Sequence, residues 1–331
     1  MQQGMLSSVL LCASLFIGAP TALATEMQPN QVHLLIDSQQ INRKVADLLQ
    51  SAIQGKTDSL SFALERMALP QQEVARYLLL REIEAQNIPL TPSMALFVEQ
   101  QKSMAPTYQV MERGEGYEFS VPAFNYPAIA SRILKRWKQD TLALDFVLNA
   151  ERGELDLKLW LSGNEYQLQA KEALFLRELD NLSSKAIDNL ASQLTDEAVT
   201  SWLPSSKIMA RLAQASNDSE IYKLLWLMRA DFHSQSELSR LAEVGDGFSI
   251  VQIMNASYNP SLKEQAIKEL ARIKPMKEEV KAFLIDRMTL HDEASMVATE
   301  LANQGYSPWL EELANDNPQV RSHAIMNALS Q

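Results

Sequence analysis

The sequence has a single cysteine, Cys12, among its 331 residues. Residues 1–24 carry no charged side chain, contain an apolar run at 9–19 and end in Ala22-Leu23-Ala24. This pattern predicts a secretory signal peptide cleaved after residue 24. Cys12 would leave with that peptide, so we expect the exported chain to have no disulfide and no thiol chemistry. The expected compartment is the bacterial periplasm, with secretion from the cell as the alternative.

Glycine is also scarce, with only 10 residues, whereas leucine, alanine, glutamate and glutamine are abundant, which favours helix. The sequence lacks a Gly-rich phosphate loop, a G-x-S-x-G elbow, an H-E-x-x-H helix and a paired-cysteine metal signature. No motif therefore identifies a hydrolase, a nucleotide-binding protein or a zinc enzyme. We expect no cofactor, no metal site and no catalytic residue.

Basic side chains are fewer than acidic ones, 30 against 41, and the formal net charge is −11. A nucleic-acid partner is not expected, because phosphate binding needs a basic surface. After residue 24 no apolar run reaches the roughly 18 residues that a membrane span requires. We therefore expect no transmembrane segment in the exported chain.

Residues 25–180 are expected to form a helical or α+β domain. Apolar residues at helical spacing predict four helices in its first part, and Thr91-Pro92 is the expected cap of the last one. The four predicted helices cover 41–53, 60–67, 71–85 and 92–101. Pro70 is expected to end the second of them.

Two hairpins are expected to follow. Strand-like segments flank Gly114-Glu115 and predict a hairpin over 107–121. After a helix at 126–138, Leu142, Leu144, Phe146 and Leu148 alternate with other residues, as do the leucines of 155–161. This period of two predicts a second hairpin over 142–161, with a third strand at 166–170.

Short helices are expected from residue 183 onward. The helices predicted before residue 257 cover 183–194, 196–203, 206–215, 218–229, 236–244 and 248–255.

The last part of the chain contains a repeated pattern. In three segments a polar start is followed seven residues later by alanine: Asn259 with Ala266, His291 with Ala298, and Asn317 with Ala324. The starts lie about 29 residues apart on average, within the range of roughly 20–50 that is typical of stacked units. The three alanines are expected at close helix contacts.

The best of the three segments is Asn-Pro-Gln-Val-Arg-Ser-His-Ala at 317–324. It resembles the HEAT-like repeat, whose second helix often opens with Asp or Asn-Pro and carries Val-Arg and then Ala. The segment at His291 departs from this pattern, since it has neither the proline nor the basic residue. The resemblance implies a HEAT-like α-solenoid over 181–331, an architecture that binds other proteins along an extended surface. An ordinary helical bundle with coincidental Asn-Pro starts is the alternative.

One segment is basic in an otherwise acidic chain. Residues 131–138 contain Arg132, Lys135, Arg136 and Lys138, and Trp137 lies on an apolar stripe of the same predicted helix. Basic amphipathic helices bind acidic partners or anionic surfaces, so these five residues are the candidate partner-binding site. The alternative is a helix packed by its stripe, with its cations solvated or paired to nearby carboxylates.

The expected fold class is mostly α with a small antiparallel β-sheet, an α+β N-terminal region followed by the HEAT-like α-solenoid. The expected function is that of an exported, non-catalytic interaction or scaffold protein of the bacterial cell envelope. Its expected partners are envelope proteins, with peripheral contact to an anionic surface as a further expectation. The alternative is a periplasmic hydrolase-type enzyme whose site lies between the sheet and the helices and has no sequence motif.

Overall fold

The computed structural model describes residues 25–114, 116–195 and 202–330. In these residues the chain forms 18 α-helices, one 3₁₀ turn at Leu179–Asn181 and three short strands. A mostly α fold with a small sheet is therefore confirmed. The chain divides into two compact units, residues 1–142 and 143–331. The predicted signal peptide and most of the helix predicted at 196–203 lie outside the described residues.

The N-terminal unit is built mainly from helices with a shared apolar core. Thr91 caps its helix as expected, since its Oγ1 accepts a hydrogen bond from the Met94 backbone N–H at 3.3 Å. Pro70 does not end a helix. It lies in the first turn of one, where its missing N–H would be unpaired in any case. The helices are α1 Pro29–Ile36, α2 Gln39–Ile53, α3 Thr57–Glu65, α4 Leu69–Ala85, α5 Pro92–Ser103 and the first part of α6 Tyr126–Arg152.

The sheet of this unit is mixed rather than purely antiparallel. Strand β1 Thr25–Glu26 pairs parallel with β2 Tyr108–Arg113, which pairs antiparallel with β3 Glu118–Pro122. The hairpin expected over 107–121 forms, but four residues rather than two join its strands. The fourth of them, Tyr117, accepts a hydrogen bond from the Gly114 N–H at 2.9 Å.

The prediction of a second hairpin over 142–161 is wrong. Residues 142–152 continue helix α6, and 157–160 form a single helical turn, α7 Leu157–Trp160. Ala143, Phe146, Val147 and Ala150 are the residues of 142–150 that face the core, at the spacing i, i+3, i+4 and i+7 of a helix. The alternating leucines Leu142, Leu144 and Leu148 are exposed instead. The prediction of a strand at 166–170 is also wrong, because these residues lie in helix α8 Glu165–Glu178.

Apolar residues of 143–180 contribute to the core of the C-terminal unit. Phe146 packs against Trp160 and Phe175, with ring centroids 4.8 and 5.9 Å away. The same apolar cluster continues through the helices that follow. The division after Leu142 is thus earlier than the domain boundary expected near residue 180.

The remaining helices of the C-terminal unit form a two-layered array. They are α9 Ser184–Thr195, α10 Ser206–Ser216, α11 Ser219–Leu227, α12 Phe232–Val244, α13 Gly247–Ala256, α14 Lys263–Arg272, α15 Glu278–Thr289, α16 Ala294–Asn303, α17 Ser307–Asp316 and α18 Ser322–Leu329. Helices α10, α12, α14, α16 and α18 pack successively against one another to form one layer. In the other layer α9 packs on α11 and α11 packs on α13.

The repeat segments differ from the expected alignment in two respects. Helices α14 and α16 begin at Lys263 and Ala294, so Ala266 corresponds to Val297 rather than to Ala298. Ala266 and Ala298 are fully buried as expected, whereas Ala324 is only partly buried. Ala324 lies in α18, the last helix of the described residues, which packs against α16 and α17.

Candidate functional site

A cleft of about 660 Å³ lies in the C-terminal unit, between helices α11 and α13 and the residues that follow α13. Its volume is within the roughly 300–1,000 Å³ that is usual for ligand sites. The cleft is lined in part by three exposed apolar side chains, Leu227, Val251 and Tyr258, whose exposed fractions are 75%, 48% and 62%. An exposed group of apolar side chains around a concave surface is typical of a binding site.

Two buried polar side chains, Trp226 and Gln252, also line the cleft. Within the described part of the chain, neither Trp226 Nε1 nor Gln252 Oε1 has a hydrogen-bond partner. An unpaired buried donor or acceptor costs about 1–3 kcal/mol. The residues that line the cleft therefore include one unpaired donor and one unpaired acceptor in addition to the apolar side chains. Unpaired buried polar atoms are rare in folded proteins and often mark a functional position.

Asn259 also lines the cleft. Its Nδ2 donates to the backbone oxygens of Trp226 and Met228, at 2.7 and 3.1 Å, and these oxygens lie at the carboxyl end of α11. The carbonyls at a helix end have no partner inside the helix, so Asn259 satisfies two groups that would otherwise be unpaired. Asn259, the polar start of the first repeat segment, is not the N-cap of α14, which begins only at Lys263; its Oδ1 accepts from the Ser261 N–H at 2.9 Å instead.

The ring of Tyr258 is held in place by Arg287 of α15. The Arg287 guanidinium carbon lies 4.9 Å from the centroid of the Tyr258 ring and 5.1 Å from that of Phe283. Arg287 Nη2 also donates to the Tyr258 hydroxyl at 3.3 Å. A side chain that is already oriented loses less entropy when it contacts a partner, so this wall of the cleft is preorganised.

The Trp226 ring is supported from within the unit by Tyr222, whose ring centroid lies 5.8 Å away. The Tyr222 hydroxyl donates to Glu237 Oε1 at 2.6 Å, and Arg240 Nη2 donates to both of these oxygens. Burial, together with the hydrogen bond to Glu237, raises the pKa of Tyr222 well above its usual value. Tyr222 therefore stays protonated at physiological pH and acts as a donor that joins α11 to α12.

Three charged side chains line the cleft, Glu220, Lys223 and Arg229. Lys223 Nζ pairs with Glu220 Oε2 at 3.2 Å. Arg229 is exposed, and no carboxylate pairs with it in the ranges that the structure describes. The cleft therefore carries a net positive charge in a protein whose net charge is −11.

The basic segment predicted as the partner site lies on α6 in the N-terminal unit. Arg132 donates from Nε and Nη2 to the two carboxylate oxygens of Glu84, at 2.7 and 2.8 Å, and this pairing lowers the pKa of Glu84. Arg136 donates to Asn87. Trp137 packs against the core of the unit and donates from Nε1 to Leu90 O at 3.2 Å.

Three of the five candidate residues thus contact the C-terminal end of α4 and the residues after it. Lys135 and Lys138 are exposed. This arrangement favours the alternative stated for the segment, a helix packed by its apolar stripe with its arginines paired within the unit.

The region between the sheet and the helices contains a buried carboxylate, Glu73 of α4. Glu73 accepts hydrogen bonds from the backbone N–H groups of Thr107 and Tyr108, at 2.5 and 3.3 Å, and so fixes the start of β2. Tyr126 lies near it, and burial raises the pKa of Tyr126 to about 12. The polar groups of this region therefore hold the sheet on the helices, and their contacts do not favour the hydrolase alternative.

The described residues also bear on metal binding and on membrane spanning. Among the described residues, no group of three or more histidine, cysteine, aspartate or glutamate side chains could hold a metal ion. In the same ranges, no helix is long and apolar enough to cross a membrane.

No protein-family model, curated protein or solved structure matches this chain. The geometry of the cleft is therefore the main indication of function.

The sequence analysis did not identify the cleft. A signal was present in α11, where Ile221, Tyr222, Leu225 and Trp226 form the buried stripe and Leu227 falls outside it. Val251 departs from the buried stripe of α13 in the same way. Apolar residues on the polar face of a helix indicate an exposed apolar surface.

Proposed function

We propose that the chain is an exported, non-catalytic interaction protein of the bacterial cell envelope, whose C-terminal unit binds a protein partner as a HEAT-like helical repeat. The observation that carries this proposal is the cleft between α11 and α13, with exposed apolar side chains beside two buried, unpaired polar atoms. Tryptophan and tyrosine are enriched among the residues that dominate the energy of protein interfaces, and the cleft contains one of each.

Export is supported by the A-x-A site at 22–24 and by the contacts just after it. Thr25 N donates to Thr107 O at 2.9 Å, and Met27 N donates to Gln109 O at 2.8 Å. Cleavage after residue 24 would leave both hydrogen bonds and strand β1 in place. Residue 25 is thus a compatible first residue for the folded protein.

We expect the protein recovered from the periplasm of a Gram-negative host to begin at Thr25. N-terminal sequencing and intact-mass measurement check this. An Ala24→Arg variant should remain unprocessed, because the residue before the cleavage point must be small. An intact Met1 on unmutated protein in the membrane pellet would contradict the proposal of export by a cleaved signal peptide.

The interaction role predicts crosslinks that depend on position. A photoreactive p-benzoylphenylalanine placed at Leu227 or Tyr258 should form a discrete adduct with an envelope protein in living cells. The same group at Leu159, which is 70% exposed in the same unit but outside the cleft, is the matched control. Electrophoresis detects the adducts, mass spectrometry identifies the partner, and the purified partner should then bind the purified protein.

The control decides how these adducts are interpreted. Adducts of equal mass and yield from Leu159 would mean that crosslinking reports abundance rather than recognition. Absence of an adduct from both cleft positions, at normal protein levels, would reject an interaction role for this surface.

A further inference from the structure

The unpaired atoms of the cleft restrict the chemistry of its occupant. Trp226 Nε1 can only donate a hydrogen bond and Gln252 Oε1 can only accept one. An occupant that satisfies both must carry an acceptor and a donor. Each residue of an extended polypeptide other than proline has one C=O and one N–H on its backbone, whereas the hydrocarbon tail of a lipid has neither.

Contact of such a backbone with these atoms requires movement of the side chains around them. Both atoms are shielded from solvent. Leu227, in contrast, is an exposed side chain of the same cleft and can change rotamer. Its movement would leave apolar surface that an apolar side chain of the occupant would cover.

Charge adds a second restriction. Arg229 lines the cleft without a carboxylate partner in the described ranges, whereas Lys223 is already paired with Glu220. A carboxylate on the occupant would therefore meet an available cation here. The net charge of −11 opposes the approach of an acidic segment in general, whereas Arg229 attracts its carboxylate at the cleft.

We infer that the cleft between α11 and α13 binds an extended peptide segment of the partner in which an acidic residue adjoins a large apolar residue. The backbone of the segment hydrogen-bonds with Trp226 and Gln252, its apolar side chain packs beside Val251 and Tyr258, and its carboxylate pairs with Arg229. This inference rests on the proposed interaction function and specifies the partner's binding segment.

The test uses short synthetic peptides and the purified exported chain. A fluorescein-labelled Gly-Ser-Glu-Phe-Ser-Gly peptide is compared with versions in which glutamate is replaced by glutamine or lysine, or phenylalanine by alanine. A further version carries an N-methyl group on the phenylalanine nitrogen and so lacks that backbone donor. Fluorescence anisotropy gives each Kd. The parent peptide should bind most tightly, and its binding should weaken as salt is raised.

Two cleft variants are paired with two controls from the same unit. Arg229→Glu should raise the Kd of the parent peptide at least about threefold and improve binding of the lysine version. Val251→Asp should raise it about tenfold, because a charge replaces the apolar contact. The controls Arg152→Glu and Leu159→Asp change exposed residues outside the cleft and should leave the Kd within about twofold. Circular dichroism shows that each variant is folded.

Three results would overturn the inference. These are no binding of the parent peptide up to about 1 mM, equal binding of the glutamate and lysine versions, or an Arg229→Glu variant that behaves like Arg152→Glu. The interaction function fails separately. If the crosslinked partner binds Val251→Asp and Arg229→Glu as tightly as the unmutated protein, the interaction function stands and the cleft is not its site. If the peptide binds as expected but no partner is crosslinked, the interaction function fails.

Discussion

Ala266→Glu is expected to unfold the C-terminal unit. Ala266 is fully buried in α14, which packs against α12, α13 and α16 in the middle of the helical array. A glutamate here places an unpaired charge in the core, at a cost of about 3–5 kcal/mol, and adds volume that the core cannot hold. Domains of this kind are stable by only about 5–15 kcal/mol in total. Urea titration followed by tryptophan fluorescence measures the loss, since four of the five tryptophans, 160, 202, 226 and 309, lie in this unit.

Ala324→Glu is the matched control. The repeat alignment made Ala324 equivalent to Ala266, but Ala324 is only partly buried in the last helix. Its glutamate can extend into solvent, so we expect a loss of about 1 kcal/mol or less. Limited proteolysis of Ala266→Glu should leave an N-terminal fragment that ends close to residue 142. Equal urea midpoints for the two variants would contradict the burial of Ala266 in the core.

Phe146→Ala is expected to destabilise the C-terminal unit by about 3–5 kcal/mol. Phe146 is 1% exposed and packs between Trp160 and Phe175, so its removal leaves a cavity where three segments meet. In a unit of this size the melting temperature should fall by roughly 10 °C. The fluorescence of Trp160 should change as well, because its ring loses its aromatic neighbour.

Leu144→Ala distinguishes the helix from the strand that the sequence suggested. In a strand, Leu144 and Phe146 would point to the same face, and both substitutions would be costly. In helix α6, Leu144 is 58% exposed, so its replacement should change the free energy of unfolding by less than about 0.5 kcal/mol. A large effect of Leu144→Ala in thermal unfolding would contradict the helical assignment.

Local signals in the sequence were sufficient for many of the helices. Scarce glycine and apolar spacing predicted α2, α4 and α5, and the Thr91 cap forms as expected. The prediction from apolar spacing was wrong at 142–161. Leucine or phenylalanine occurs there at every second position, as in a strand, but the same residues also contain a helical pattern of apolar residues once alanine and valine are counted. Packing of Phe146 on Phe175 selects the helix, and this contact joins residues far apart in sequence.

The helical class of this protein and the position of its first hairpin can be predicted from residue order alone, because helix propensity, capping and turn formation depend on neighbouring residues. The roles of Asn259, Arg132 and Trp226 become visible only once the helices are packed together. Asn259 joins the turn after α13 to the end of α11, and Arg132 pairs with a carboxylate 48 residues away. The indole N–H of Trp226 has no partner among the described residues. These roles depend on which helices lie side by side, and that arrangement comes from burying the apolar faces of all the helices together.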